Sequence, residues 1–459
     1  MAAPPTAGQA AVRVAIIGAG IAGLAAARIL VRSGWQVIVI EARRRVGGRI
    51  FTRHVSEAGD TAGAAIEMGA EFIHGLPPET WALLREGGLQ TYEVHGTHLC
   101  FVRGVLQNHD EPREGGFALI EQMVQWLDAQ PKDCDMPFAD YLALTAANSV
   151  ARARAVEYVE GFNAADSGVI GIAALARQQR AEDAIDSDRL FRVNGGYDAL
   201  PRYLANEIRS AGGAIVLGNI VQRISWQRGA VTIHGVRDSG EAVEVQADRA
   251  LISIPLGVLQ AGSVAISPSP AAILAHAARL RMGPVLRMTL VFSRRFWGEA
   301  TSPIALPGLE SGLGQLSFLF THGTLPSTWW TPMPDTAPMI TAWIAGPNVN
   351  LIHPAGSTLE KLLPRVLHTL ATALGVAPNE LKALLRSWHT HDWQADPFAQ
   401  GAYSYAPAGA VDASAHMAQP VEETLYFAGE HTDTTGHWGT VHGALRSGIR
   451  AATQLLASN

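Results

Sequence analysis

The chain has 459 residues, of which 48% are apolar and 17% charged, with 35 Lys and Arg against 41 Asp and Glu for a formal net charge of −6. That length exceeds one ordinary core, so two domains are expected, and the apolar fraction is that of a globular protein. With no basic run beyond Arg43, Arg44 and Arg45, nucleic acid is excluded as an expected partner.

Residues 1–10 are rich in Ala and Pro, without a basic segment or an apolar core, and read as a disordered leader. Residues 12–17 then form a buried strand that runs straight into Gly18-Ala19-Gly20-Ile21-Ala22-Gly23. A helix is expected over 21–33, stopped by Gly34, and a second apolar strand over 35–40 ends on Glu41, 18 residues after Gly23. Gly18 makes the tight turn, Gly20 lets the backbone approach a pyrophosphate, Gly23 lets helix and strand pack, and Glu41 accepts from ribose hydroxyls. The helix N-terminus adds free N–H groups and a partial positive charge. The fingerprint alone does not separate a nicotinamide from a flavin dinucleotide.

The next residues do. Glu41-Ala42-Arg43-Arg44-Arg45-Val46-Gly47-Gly48-Arg49 continue into an Arg- and Gly-rich loop, whose guanidiniums suit a second stretch of diphosphate and whose glycines allow close backbone approach. Here the chain resembles the flavin-containing amine oxidase superfamily, whose dinucleotide fold carries an E-A-R-x-R-x-G-G-R segment. Tyr426-Phe427-Ala428-Gly429-Glu430 and Gly439-Thr440-Val441-His442-Gly443-Ala444 resemble that family's C-terminal motifs. Between them Glu67 to Gly75, Asn194-Gly195-Gly196-Tyr197, Ile254 to Leu259 and Asp396 to Tyr405 follow in the family's order.

The resemblance implies an α/β fold: a Rossmann-type FAD domain built from residues 1–80, 181–281 and 409–459, interleaved with an α+β substrate domain of mixed sheet and helices from 81–180 and 282–408. Apolar spacing predicts helix around 118–127 and 151–161 and makes the stretch 81–180 helix-like. Residues 286–292 have strand character, and the Pro-, Gly- and Trp-rich stretch 302–338 reads as loops and sheet edges. The active site is expected at the domain interface.

By the same resemblance, FAD is held by Gly18, Gly20, Gly23, Glu41, Ala42, Arg43, Gly48, Arg49, Gly69, Ala70, Glu71, Phe72, Val221, Pro255, Trp393, Gly429, Glu430, Thr440 and Val441. The catalytic candidates are Tyr403, one wall of an aromatic cage whose second wall is replaced by Thr440; Trp393, beside the flavin; His74, in the pocket; and Arg287, where the family carries a lysine that serves reoxidation. Ala402 stands where monoamine oxidases carry a flavin-bound cysteine, so the FAD is expected to be non-covalent. Trp388 and Trp438 read as packed aromatics.

The implied activity is oxidation of a primary or secondary amine to an imine that hydrolyses to an aldehyde or ketone, with O2 reduced to H2O2. Arginine at 287 keeps open a dehydrogenase with another acceptor, and Arg287 or Arg180 keeps open an L-amino-acid oxidase. Cys100 and Cys134 read as free thiols of a reducing compartment. His389-Thr390-His391-Asp392 is the best local metal-like cluster but has no matching third ligand set, so no metal is expected. The stretch 250–278 is broken by Pro and Gly, 14–27 is too short to span a bilayer, and the sequence ends at Asn459 after the last family helix. A soluble, cytoplasmic protein without a membrane anchor is expected, with oligomeric state open and a homodimer among the options.

Overall fold

A computed structural model describes residues 12–55, 65–109, 115–298, 312–354 and 357–458. The leader expected over 1–10 lies outside them. Strand Arg13–Ile17, helix Ile21–Arg32 and strand Gln36–Ile40 follow one another as expected. They begin a five-stranded parallel sheet, in the order Ala214–Val216, Gln36–Ile40, Arg13–Ile17, Arg249–Ile252, Leu425–Phe427. Its strands come from three separated stretches of sequence.

A parallel sheet must be covered on both faces, and the period of two along each strand divides its side chains between two cores. Val14, Ile16, Val37 and Val39 pack with Leu24 and Leu30 of the first helix, Leu204 and Ile208 of helix Ala199–Ser210, and Leu445 and Leu455 of helix Val441–Ala457. Ala15, Ile17 and Ile252 face the other way, toward Ile224 and Ile233 of a second, four-stranded sheet.

A seven-stranded mixed sheet forms the other half of the molecule, in the order Leu385–Thr390, Val285–Phe292, Met339–Ala345, Thr328–Trp330, Leu316–Phe320, Thr97–Val102, Val105–Asn108. All eight residues of Val285–Phe292 are buried. Leu286, Met288, Leu290 and Phe292 pack on Val366, Leu367 and Leu370 of helix Leu363–Ala373, which turns Arg287 to the opposite face. Helices Gly116–Asp128, Ser149–Asn163 and Ile172–Asp183 cluster beside this sheet through Leu119, Ile120, Val159 and Leu175.

Two expectations need correction. The stretch 81–180 is not purely helical: Thr97–Val102 and Val105–Asn108 form a hairpin at one edge of the seven-stranded sheet. Arg103 and Gly104, both at positive φ, make its two-residue turn. Within 302–338, of which 302–311 lie outside the described residues, Leu316–Phe320 and Thr328–Trp330 are interior strands rather than edges. The turn-forming residues between these short strands dominate the local composition, while pairing with distant strands decides their place in the sheet.

Candidate active site

Segments from the whole length of the chain converge on one cavity of about 830 Å³ between the parallel sheet and the seven-stranded sheet. Its volume lies within the usual range for ligand pockets. Of the residues expected to hold FAD or to act in catalysis, all but Gly23 border it: Gly18, Gly20, Glu41, Ala42, Arg43, Gly48, Arg49, Gly69, Ala70, Glu71, Phe72, His74, Val221, Pro255, Arg287, Trp393, Tyr403, Gly429, Glu430, Thr440 and Val441. Gly23 has its place behind the turn, where a Cβ would lie 2.1 Å from Gly18 O.

At the cradle end the geometry fits a dinucleotide. Gly18 has φ +105°, and a Cβ there would meet Ser253 Oγ at 2.8 Å. A Cβ on Gly20 would meet no protein atom within 4 Å and would instead occupy space a pyrophosphate needs. Gly20 caps the first helix without a side-chain hydrogen bond, and that helix has no acidic residue in its first turn, so its leading N–H groups face the cavity uncompensated. The Glu41 carboxylate is oriented by Ala19 N on Oε2 and Arg43 N on Oε1, each at 2.8 Å, which leaves lone pairs for ribose hydroxyls. Arg43 is itself held by Asp396 at 2.7 Å and lies over the Phe398 ring.

Where the termini meet, Arg49 Nη1 donates to Glu430 Oε1 at 2.9 Å and to Ala402 O at 2.7 Å. Glu430 Oε2 accepts from Ser404 Oγ at 2.6 Å and Gly439 N at 3.0 Å. Burial would raise the Glu430 carboxyl, but Arg49, with the other donors, holds it below the usual range. Trp393 is fixed by Nε1 to Met68 O at 2.9 Å, with its ring against Gly69. Thr440 is the N-cap of the last helix: its hydroxyl accepts from Gly443 N at 2.9 Å and donates to His437 O at 2.7 Å. That cap explains why a residue facing the cavity at the helix start is a threonine.

The far end is aromatic. Tyr403 stands against Gly439, and its hydroxyl donates to Phe162 O at 2.8 Å, with burial pushing its pKa above the usual phenol range. His74 lies edge-on to Phe162 and Phe72, at 5.6 and 6.2 Å between ring centres. Burial pushes its imidazole down to about 4, so it is neutral at pH 7. Trp330 and Trp343 complete this wall, 5.7 Å apart. Arg287 donates to Gly69 O at 2.9 Å and to Glu71 Oε2 at 2.6 Å, so the Glu71 carboxylate is engaged by protein donors.

Several residues at this site carry no signal in the sequence. Asn163, Gln178 and Glu182 form a hydrogen-bonded row on the cavity wall, with Asn163 Nδ2 to Gln178 Oε1 and Gln178 Nε2 to Glu182 Oε1 both at 2.7 Å. Burial raises Glu182 to about 7. Trp438, expected to be a packed aromatic, borders the cavity and donates to Asp433 O at 3.0 Å. Trp388 packs against the core of the seven-stranded sheet. Arg180, offered as a carboxylate-binding residue, instead pairs with Asp128 on the exposed side of its helix and does not border the cavity. Its helix turns Gln178 and Glu182 inward, which sends Arg180 out. His391 Nε2 donates to Asp396 Oδ2 at 2.8 Å, while His389 approaches Ser387 Oγ at 3.1 Å.

No helix among the described residues is long and apolar enough to cross a membrane. Among curated relatives, the chain is 28% identical to lysine-specific histone demethylase 1 homolog 2 of Arabidopsis thaliana over 96% of this chain and 58% of that one. It is 27% identical to polyamine oxidase 4 of Oryza sativa subsp. japonica over 96% of this chain and 88% of that one. The chain thus spans between about a third and a little over half of the length of the demethylase-type relatives it matches. Two solved structures share its fold with TM-scores of 0.78: putrescine oxidase bound to putrescine, 21% identical over 98% of this chain and 99% of that one, and cyclohexylamine oxidase from Brevibacterium oxydans IH-35A, 23% identical over the same shares. The model of the flavin containing amine oxidoreductase family matches residues 21–456, nearly the whole chain, and the chain belongs to that family.

Proposed function

We propose that the protein oxidises the C–N bond of a primary or secondary amine to an imine, which water hydrolyses to an aldehyde or ketone, with O2 reduced to H2O2. The observation that carries this reading is one continuous cavity in which a dinucleotide cradle opens into an aromatic chamber. We further propose the division into a cofactor part, residues 1–80, 181–281 and 409–459, and a substrate part, 81–180 and 282–408, with the cavity between them.

When bound, FAD supplies the acceptor for the hydride equivalent that leaves the carbon beside nitrogen. The chain's own residues orient and desolvate the amine. The Tyr403 hydroxyl is engaged by Phe162 O, so the ring presents its face to the cavity and aligns the nitrogen. His74, uncharged at neutral pH, can exchange a hydrogen bond with the amine without repelling a cation. Phe72, Trp330 and Trp343 exclude water, which favours the neutral, reactive amine. The Glu182 carboxyl, which accepts from Gln178 Nε2 on the cavity wall, supports a substrate with a second cationic group at that wall.

A non-oxygen acceptor is the second reading, supported by the guanidinium of Arg287 being fixed on Glu71 and Gly69 where the family has a lysine. The amino-acid oxidase reading loses Arg180 as its guanidinium. Anaerobic mixing of the FAD-loaded protein with a panel of monoamines, diamines, polyamines and amino acids, followed by flavin absorbance, tests the reading independently of the acceptor. Bleaching by amines is expected; bleaching by none of them would overturn it.

A further inference from the structure

On the cavity wall, the carboxylate of Glu71 holds two guanidiniums. Glu71 Oε1 accepts from Arg192 Nε at 2.7 Å, and Oε2 from Arg287 Nη2 at 2.6 Å and Trp330 Nε1 at 3.0 Å. All three charged side chains are less than a tenth exposed. Each guanidinium carries one positive charge. Burial would raise the Glu71 carboxyl, but Arg192 and Arg287 together outweigh burial and hold it ionised. The neighbouring Glu67 carboxyl is pushed up to about 8 by burial, so at pH 7 it is mostly protonated and offsets little of this charge. One negative and two positive charges leave the unit at +1.

The two arginines differ in what they face. Arg192 directs its terminal nitrogens to Met333 O at 2.9 Å and Thr331 O at 3.1 Å, lies over the Phe72 ring, and does not border the cavity. Arg287 borders the cavity, and its buried Nε has no partner among the described residues. With Glu71 alone, Arg287 would form a neutral pair. Inside a protein an uncancelled charge acts over a longer range than in water.

We propose that Arg192 is a positioning residue which, by occupying Glu71, leaves the charge of Arg287 uncancelled against the ring end of bound FAD and so sets the cofactor's reduction potential. This rests on the flavin reading of the cavity. Its consequence is directional: removing Arg192 makes the unit neutral and lowers the potential, whereas removing the charge of Glu71 raises the unit to +2 and the potential with it.

The test uses FAD-loaded protein without amine. Sulfite adds through its sulfur lone pair to flavin N5 and leaves negative charge on the ring, so its affinity reports the same field as the potential. Arg192→Gln is expected to weaken sulfite binding about tenfold and to lower the two-electron potential by about 30 mV, the same factor converted. Glu71→Gln should shift both in the opposite sense, and Arg192→Lys should stay near the parent. A merely structural role predicts no shift, or shifts of one sign in both charge-removing variants, and either result overturns the proposal. If Arg192→Gln does not fold, Glu71→Gln and Arg192→Lys decide it: a potential that does not rise in the first, or that falls by the full amount in the second, refutes the proposal. Because no amine is used, failure here is separable from failure to oxidise amines.

Discussion

Arg49 and Glu430, 381 residues apart, meet at 2.9 Å and join the N-terminal dinucleotide loop to the C-terminal flavin motif. The pair is largely buried, with the carboxylate side chain 4% exposed, so breaking it leaves one charge in a poor solvent. Arg49 also orients Ala402 O, and Glu430 orients Ser404 and Gly439. Glu430→Gln should therefore weaken FAD retention at least tenfold and destabilise the apoprotein by about 2 kcal/mol. Fluorescence titration of released FAD and denaturant unfolding measure the two effects. Parent-like retention would show that the junction is not needed to hold the cofactor.

Ala402 lies beside Tyr403 at the bend into the strand Tyr403–Tyr405, and offers no thiol for a thioether. Acid precipitation should therefore release all of the flavin into the supernatant. Flavin that stays with the pellet would point to a covalent link elsewhere.

On the proposed reading, Tyr403→Ala removes an aromatic face that orients the substrate. Anaerobic flavin reduction by the best amine should slow by about tenfold to a thousandfold, while FAD binding changes little. Tyr403→Phe, which loses only the hydrogen bond to Phe162 O, should retain most of the rate. Equal reduction rates in parent and Tyr403→Ala would remove Tyr403 from the site.

Arg287 is held on both sides by Glu71 and Gly69. If the acceptor is not oxygen, reduction by amine should proceed while reoxidation by O2 is slow, and Arg287→Lys should speed reoxidation by about tenfold or more with a smaller effect on reduction. Stopped-flow measurement of the two half-reactions separates these outcomes. If the parent already reoxidises as fast as Arg287→Lys, the case for a non-oxygen acceptor falls.

Glu67, half-buried on the strand Ala65–Glu67, accepts from Thr52 Oγ1 and Tyr197 N, both at 2.7 Å. Burial raises its carboxyl from 4.5 to about 8 in the folded protein. The folded state then binds more protons than the unfolded state between those two values, so this group's contribution to stability is full below pH 4.5 and is lost as pH rises to 8. Glu67→Gln can keep both hydrogen bonds without a charge to bury. It should be more stable than the parent by ~1–3 kcal/mol at pH 8 and close to it at pH 5. Thermal unfolding across that range checks the sign, and a gain that does not grow with pH would contradict it.

Much of this site is legible in the chain itself. The strand, glycine turn, helix and Glu41 are a local device: what each residue does depends on neighbours within about thirty positions, so spacing alone determines it. The ordered motifs also bring Tyr403, Trp393, Arg287 and Thr440 into view as residue types at known places in a family pattern. What spacing does not carry is who pairs with whom at long range. Arg192 sits two residues before the Asn194-Gly195-Gly196 turn and looks like one more strand residue, yet the sheet Ile73–His74, Leu190–Val193, Thr91–Glu93 delivers it to Glu71. Arg180 and Glu182 are two positions apart on one helix, and only packing decides that the carboxyl turns inward and the guanidinium out. The short strands Leu316–Phe320 and Thr328–Trp330 are interior because distant partners flank them, although the turn-forming residues around them give the stretch the look of loops and edges. Local chemistry determined the cofactor and the class of reaction. The buried charges that tune the site were decided by tertiary contacts, since a charge inside a protein is defined by its partners rather than by its place in the chain.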